Sequence, residues 1–460
     1  MQLQSAGEAE PAGPNRICPP WSVSPLVLPV VYVAVCLLPL PLAAMEGYPL
    51  RSFLREFSSG LAMVGFAMAL VQFALSGRFE WISGQTGIDR TMRFHQVAAW
   101  AILAIVVVHP FLYVMSRLSP DPMDALAAVT GMFSSQRLRS GVIAWCLMIL
   151  LVLMAILRDR LPFRYETWRL SHGLFAVAIA GSGLHHMLRA GIYSADRWLA
   201  AYWVIATAGA FLAVFRIYLF KPALQLSRPY RVVSNRRVAH RMWEVAIEPE
   251  QGPAIDFAPG QFVWLNLGHS PFSLTEHPFS ISSASQTRPR ISFTIKESGD
   301  FTNRIGTIAV GTRAYLDGPH GNFTLKGRTA KGVAFIAGGV GFAPIIGILR
   351  QLTADRYPHP LRLLYGNRIE TQILYRDEIE TLKDSLDFEA HYVLSEPPPG
   401  WAGAVGDLSP QVVGGFLDAI GAGNWLYFVC GPPAMMDSVE RALRDRGVSR
   451  RHIVSERFKY

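Results

Sequence analysis

Histidines stand at nearly matched spacing in two apolar segments of this sequence, and imidazole nitrogens bind transition metals. In RFHQVAAWAILAIVVVHP, His95 and His109 lie 14 positions apart, and Gln96 is the one polar residue between them. On an α-helix this spacing is nearly four turns and about 21 Å, so both rings would face one way near opposite edges of a bilayer core. Such costly groups in an apolar helix indicate either a cofactor or a proton relay.

A second segment repeats this design. In WRLSHGLFAVAIAGSGLHHMLRAG, His172 lies near the start, and His185 and His186 follow 13 and 14 positions later. With six membrane spans, the two histidine segments are the third and the fifth and run in the same direction. His172 would then meet His95, and His185 or His186 would meet His109. Two bis-histidine pairs predict two haem irons with axial imidazoles, and six-coordinate haem suits electron transfer.

The choice between His185 and His186 depends on helix geometry. A spacing of 14 suits a regular helix, whereas a spacing of 13 needs local tightening, which the stretch AGSG at Ala180–Gly183 could allow. If His185 binds the iron, His186 becomes a supporting group or one on the acceptor side.

The elements that would position these histidines are membrane helices. Charged residues make up only 17% of the 460 residues, and the mean hydropathy is +0.25. Six apolar segments are long enough to span a bilayer, near 24–44, 55–76, 94–115, 141–157, 171–189 and 198–220. The first contains several prolines and ends in small residues, so a cleaved signal peptide is its alternative interpretation.

The net charge of +9 comes largely with arginines that flank the apolar segments. No compact Lys/Arg cluster accompanies it, so we expect no nucleic-acid partner and expect a lipid bilayer instead. Arginine is modestly enriched in the loops on the side of the C-terminal half, which predicts a multi-pass protein of the cell membrane with that half in the cytoplasm.

The C-terminal half reads as two soluble domains. WEVAIEPE, GQFVWLNL and RISFTIKE have strand composition, which predicts a small antiparallel β-barrel over 221–327. Strand-like and helix-like segments then alternate, which predicts a parallel α/β domain over 328–460. The predicted organisation is therefore a tail (1–23), a six-helix α bundle (24–220), the barrel and the α/β domain.

A glycine-rich turn in AFIAGGVGFAPIIGIL predicts a phosphate site between a strand and a helix. Gly338, Gly339 and Gly341 would let the backbone approach a phosphate, the helix N-terminus would supply donors, and Pro344 suits the first helical turn. The next strand ends in YGNR, where Arg368 replaces the carboxylate that would bind an NAD ribose. This favours NADPH, and NADH stays possible.

Several motifs in this order resemble the ferric reductase and NADPH oxidase family, in which a six-helix di-haem domain joins a ferredoxin-reductase-like module. The resemblance covers nearly the whole chain from about residue 50. HPFSISS and KESGDFT are similar to its two flavin motifs, GGVGFAP to its nicotinamide-nucleotide loop, and CGPP to its nicotinamide motif. The resemblance implies bound FAD, held by His277, Pro278, Phe279, Ser280, Ile281, Lys296, Gly299, Asp300, Phe301 and Thr302.

The resemblance also implies the roles of other residues. Cys430 would lie beside the nicotinamide, with Gly431 and Pro432 in the same binding motif, and an aromatic residue of SERFKY would stack on the flavin. Phe458 is the first choice for that role and Tyr460 the second. The family's haem spacing, often 14 in the third helix and 13 in the fifth, favours His185 as the fourth ligand.

The implied activity is electron transfer from NADPH through FAD and two b-type haems to an acceptor outside the cell. The acceptor is dioxygen, giving superoxide, or a ferric chelate. The alternatives are delivery to a dedicated partner protein and a non-enzymatic membrane scaffold, which the intact motifs disfavour. Tyr113 lies one turn beyond His109, where animal oxidases of the family carry a histidine, and this weakens a specific claim for oxygen chemistry.

Overall fold

The computed structural model describes residues 27–457 except 46, 77, 80, 81, 83–86, 116–121, 196 and 422. Phe458 and Tyr460, the two candidates for the aromatic residue on the flavin, lie outside these described residues. The chain forms a helical half followed by two sheets, in the order that the sequence predicts.

Helices occupy all six predicted spans within the described residues. They are α1 and α2 (Val27–Leu37 and Pro39–Ala44), α3 (Phe53–Val71), α4 (Ile88–Met115), α6 (Arg139–Ile156), α7 (Tyr165–Ala190) and α8 (Arg197–Phe215). A π-helical turn at Arg216–Phe220 and helix α9 (Lys221–Leu226) continue α8 beyond residue 220. A further helix, α5 (Pro122–Ser134), lies where the sequence analysis placed a loop.

By length and composition, five helical segments of the described chain are apolar and long enough to cross a membrane. Helix α7 is not among them, since it carries three histidines together with Arg169 and Arg189. It nevertheless packs between α6 and α8 in the bundle. Its polar groups therefore face other helices or the two ends of the bundle, as expected of membrane segments with a function.

The first soluble domain is an antiparallel sheet. Its strands are β1 (Tyr230–Ala239), β2 (Met242–Pro249), β3 (Phe262–Leu267), β4 (His277–Ser280), β5 (Ile291–Lys296) and β6 (Arg313–His320), in the order β4-β3-β6-β1-β2-β5. A bridge between Ile281 and Phe293 joins the end of β4 to β5 and closes the sheet into the predicted barrel.

The second soluble domain is the predicted parallel α/β domain. Its strands are β7 (Gly332–Gly338), β8 (Leu361–Asn367), β9 (Phe388–Leu394), β10 (Ala404–Val405), β11 (Trp425–Cys430) and β12 (Ile453–Ser455). Their spatial order is β10-β9-β8-β7-β11-β12, and every pair is parallel. The helices are α10 (Phe342–Ala354), α11 (Arg376–Thr381), α12 (Pro410–Ile420) and α13 (Pro433–Asp445). The strand order reverses between β7 and β11, which is where nucleotides bind in such sheets.

Candidate functional site

The two predicted flavin motifs meet in space. β4 pairs with β3, which sets the direction of its side chains, and the ring of His277 stacks on Phe301 with a centroid distance of 4.4 Å. Phe279 approaches the same ring at 6.3 Å. Burial lowers the pKa of His277, so the stacked imidazole is neutral at pH 7. Residues more than twenty positions apart thus build one aromatic surface.

The remaining residues of the second motif shape a tight turn. The hydroxyl of Thr302 accepts hydrogen bonds from the backbone N–H groups of Ser298 (3.0 Å) and Gly299 (2.9 Å). Asp300 is exposed in this turn, and Lys296 ends β5 just before it. The turn therefore presents polar groups at the rim of the aromatic surface. In the first motif, Pro278 lies in β4, and Ser280 and Ile281 are buried.

The glycine-rich turn follows β7 and leads directly into α10, as predicted. Pro344 stands in the first turn of that helix. A side chain at Gly341 would collide with the backbone carbonyl of Cys430, because the turn packs against the CGPP segment. Gly338 likewise faces Met435, the third residue after Pro432. The two predicted nucleotide motifs are thus in direct contact at the carboxyl ends of β7 and β11.

Arg368 lies at the carboxyl end of β8, on the same edge of the sheet. Its side chain is exposed, and its nearest carboxylate is that of Glu396, at 3.8 Å. An exposed ion pair of this length is weak. The guanidinium is therefore able to turn toward a phosphate, although Glu396 competes for it.

Glu456 is a functional candidate that the sequence analysis missed. Val429 of β11 pairs with Ser455 of β12, so Cys430 and Glu456 stand side by side where these strands end. The Glu456 carboxylate is buried against Gly321 of the barrel domain. Burial, together with the charge of Asp89, raises its pKa to about 8. Burial also raises the pKa of the Cys430 thiol to about 12, so that group is no thiolate at pH 7.

We expect the exchange of Glu456 for glutamine to remove a pH dependence near pH 8. In the folded protein this carboxyl binds its proton more tightly than in the unfolded chain, so stability falls as the pH rises from about 4.5 towards about 8. If the nicotinamide binds beside Cys430, as the resemblance implies, ionisation of Glu456 would also place an anion at that point, and we expect flavin reduction to slow above pH 8. Melting temperature and flavin reduction by NADPH, each followed against pH, test both effects.

The matched control for this experiment is Glu389→Gln, an exposed carboxylate of the same domain. We expect its pH profiles to match those of the unchanged protein. Identical profiles for Glu456→Gln and the unchanged protein would contradict the assignment of Glu456.

The membrane helix α4 begins next to this site. Asp89 in its first turn acts electrostatically on Glu456, and Arg93 acts on Asp437 in the first turns of α13. His95 follows Arg93 by two positions. The part of the α/β domain that contains Glu456 and Asp437 therefore lies against the N-terminal end of α4, which also carries His95.

The predicted inner histidines are brought together. The ring centroids of His95 and His172 are 6.5 Å apart, with an angle of 48° between the ring planes. Trp168 lies one turn before His172 and packs on it at 5.2 Å. The Nδ1 atoms of both histidines are buried and have no hydrogen-bond partner in the described part of the chain.

At the other end of the bundle, His109 approaches His186 closely enough to interact with it electrostatically. The ring of His186 packs directly on Gly141 of α6, where no side chain would fit. His185 points elsewhere: it is exposed, and its Nδ1 atom lies 2.9 Å from the hydroxyl of Ser140. Helix α7 is a regular α-helix through this region, without the tightening that a spacing of 13 would need.

Comparison with known families agrees with this architecture. Residues 61–183 match the family model described as ferric reductase like transmembrane component, residues 229–323 match an FAD-binding domain, and residues 335–441 match an oxidoreductase NAD-binding domain. This chain belongs to the ferric reductase and NADPH oxidase superfamily. In this superfamily a ferric reductase-like membrane domain is fused to a ferredoxin-reductase-like module, and the chain is accordingly an oxidoreductase with FAD- and NAD-binding domains.

Similar proteins match the soluble half. The reductase component of propane 2-monooxygenase from Rhodococcus jostii is 32% identical over 46% of this chain and 58% of its own length. Ferredoxin–NADP reductase B from Sorangium cellulosum is 31% identical over 50% of this chain and 96% of its own. The solved ferredoxin reductase of carbazole 1,9a-dioxygenase shares 25% identity over 50% of this chain and 69% of its own, with a TM-score of 0.44. The chain thus spans little more than half of the first relative.

Proposed function

We propose that this protein carries electrons from NAD(P)H through FAD and two b-type haems across the cell membrane to an acceptor on the far side. The observation that carries the proposal is the His95–His172 pair, whose Nδ1 atoms are buried at the end of the bundle that meets the reductase module. The soluble half would lie in the cytoplasm, where reduced nicotinamide nucleotides are available.

The separation of the inner pair fits an iron between the rings. Imidazole nitrogens bind a metal at about 2.0–2.1 Å, so one metal ion needs a gap of roughly 4 Å between the two nitrogens. The centroids of His95 and His172 are 6.5 Å apart. No group of three or more His, Cys, Asp or Glu side chains that could hold a metal occurs among the described residues. A haem iron needs only two protein ligands, so the histidine pair suffices.

For the outer haem we propose His109 and His186 as the ligands, with His185 as a neighbour. This assignment differs from the preference for His185 that the family's spacing of 13 in the fifth helix implied. It is supported by the interaction of His186 with His109 and by the contact of His185 with Ser140. A spacing of 14 on both helices keeps the two pairs in register along the bundle.

In the soluble half, we propose that the surface of His277, Phe279 and Phe301 holds the flavin. The turn at Gly338–Gly341 and the N-terminus of α10 would bind the nucleotide pyrophosphate. FAD held there would supply both hydride and one-electron chemistry, and haem held by the histidine pairs would supply one-electron transfer. Protonated Glu456, beside Cys430, would keep negative charge away from the point where the hydride arrives.

Two classes of acceptor follow from this arrangement. The first is a small molecule, either dioxygen reduced to superoxide or a ferric chelate. The second is a dedicated protein partner, which is favoured by the similarity to proteins named as reductase components of propane 2-monooxygenase.

The test is an absorption spectrum of the purified protein with NADPH or NADH, with and without oxygen. We expect reduced b-type haem to accumulate without oxygen and to be reoxidised when an acceptor is added. Persistent NADPH consumption with a ferric chelate under argon would favour metal reduction, whereas stimulation by a co-purifying protein would favour the partner. Absence of a reduced b-type spectrum would overturn the proposal.

A further inference from the structure

A buried cluster of charges joins the membrane bundle to the barrel domain. We call it the junction cluster, and its members are Arg78, Arg169 and Lys221 from the helical half, and Glu276 and Asp317 from the barrel. The three cations come from three separate parts of the bundle: the connection between α3 and α4, helix α7, and helix α9.

The geometry of the cluster is close. The Glu276 carboxylate accepts from Arg78 at 2.6 Å and lies 2.8 Å from Arg169. The Asp317 carboxylate accepts from Lys221 at 2.8 Å and from Arg78 at 3.2 Å. Arg78 therefore bridges the two carboxylates. Each ion pair of the cluster joins a cation of the helical half to a carboxylate of the barrel.

The cluster is shielded from water. The side chain of Arg78 is 8% exposed and that of Asp317 is 9% exposed. The guanidinium of Arg78 also lies over the ring of Trp264, 3.8 Å from its centroid. Buried ion pairs are screened far less by salt than exposed ones, but they gain little net stability because desolvation is costly. In some proteins such pairs fix one geometry, and the meeting of five charged groups at this junction suits that role.

Both carboxylates are ionised despite burial. Burial would raise the pKa of Glu276, but the charges of Arg78 and Arg169 outweigh it and lower that pKa. Burial acts in the same way on Asp317, and His320 with Lys221 and Arg78 hold its pKa well below the ordinary range. Both carboxylates of the cluster are therefore charged at neutral pH.

The positions of the cluster in the sequence connect it to both redox sites. Glu276 immediately precedes His277 of the first flavin motif. Arg169 lies three positions before His172 on α7, which places it one helical turn away on the same face. The Arg169–Glu276 contact thus joins the start of β4, which carries the flavin motif, directly to the helix of the inner histidine.

We propose that the junction cluster positions the flavin motif relative to the inner histidine pair, and so sets the rate of electron transfer between the two halves. This inference rests on the proposed function and names the residues that its central step requires. Glu276, Asp317, Arg78, Arg169 and Lys221 are positioning residues in this assignment, since none needs to touch a cofactor.

The test compares Glu276→Gln and Asp317→Asn with the unchanged protein in rapid-mixing experiments with NADPH. These isosteric changes remove charge but keep shape. Flavin reduction, and the direct reduction of ferricyanide by the flavin, should remain unchanged. Reduction of haem after the flavin should slow severalfold, because the rate of electron transfer falls steeply as the distance between the flavin and the haem increases.

Asp256→Asn is the matched control, since Asp256 forms an exposed ion pair with Arg288 in the same domain. It should leave every rate unchanged. If Glu276→Gln fails to fold, Lys221→Gln provides a second variant at the edge of the cluster, with a smaller but parallel effect on haem reduction.

The outcomes separate the possible roles. A lower melting temperature with an unchanged rate of haem reduction would show a merely structural cluster and would overturn this inference alone. Slowed flavin reduction in the variants would overturn it as well, because the defect would then lie upstream. If the unchanged protein itself shows no haem reduction, the proposed function falls and takes this inference with it.

Discussion

Replacing His172 with alanine is expected to remove the inner haem and to abolish electron transfer beyond the flavin. The ring centroids of His172 and His95 lie 6.5 Å apart, and these two imidazoles would hold one haem iron. Loss of groups that merely support a metal ligand typically costs about 10- to 100-fold in metal affinity, so loss of the ligand itself should cost more. The reductase module contains neither histidine, so its own chemistry should survive.

The measurement has two parts. Haem content should fall from two to one per chain by pyridine haemochrome assay, and NADPH-driven haem reduction should vanish while NADPH–ferricyanide activity stays near that of the unchanged protein. His359→Ala, an exposed histidine of the α/β domain, is the control and should alter neither quantity. Full haem content with normal haem reduction in His172→Ala would rule out the inner pair as ligands.

The sequence predicted the fold well because the signals for it are local. Long apolar runs predict membrane helices. The strands that contain Trp264 and Phe293 are predicted by their β-branched and aromatic residues and by the turn residues that flank them. The continuous helix through Pro110 was also predictable from the apolar pattern on both sides of the proline. The pairing of His95 with His172 followed from matched spacing, which is a property of the helix itself.

Other features were not predictable, because they depend on contacts between distant residues. Glu456 looks like an ordinary charged residue in the sequence, whereas in the fold it is buried against Gly321 and acted on by the charge of Asp89. Arg78 and Glu276 lie in unremarkable loops, and nothing in their neighbourhood indicates that they meet. Helix α5 differs, because Pro122 at its start is a recognised helix signal that a search for long apolar runs does not use.

The second large expected effect concerns the outer haem. The sequence left open whether His185 or His186 is the ligand that pairs with His109. We expect His186→Ala to lose the outer haem and to stop acceptor reduction, because the ring of His186 packs on Gly141 and interacts electrostatically with His109. The inner haem should still be reduced by NADPH, so the block would fall between the two haems. His185→Ala is the matched control: same helix, same residue type, adjacent position.

His185→Ala should keep both haems, since its imidazole bonds to Ser140 and is exposed. A mild change in the rate of acceptor reduction is compatible with that position at the outer end of the bundle, whereas a loss of haem is not. Gly141→Ala provides an independent check, since an added methyl group would collide with the His186 ring and leave the His185 side chain alone. If haem loss follows His185→Ala instead, α7 must tighten around the bound iron, and the spacing of 13 would be the operative one.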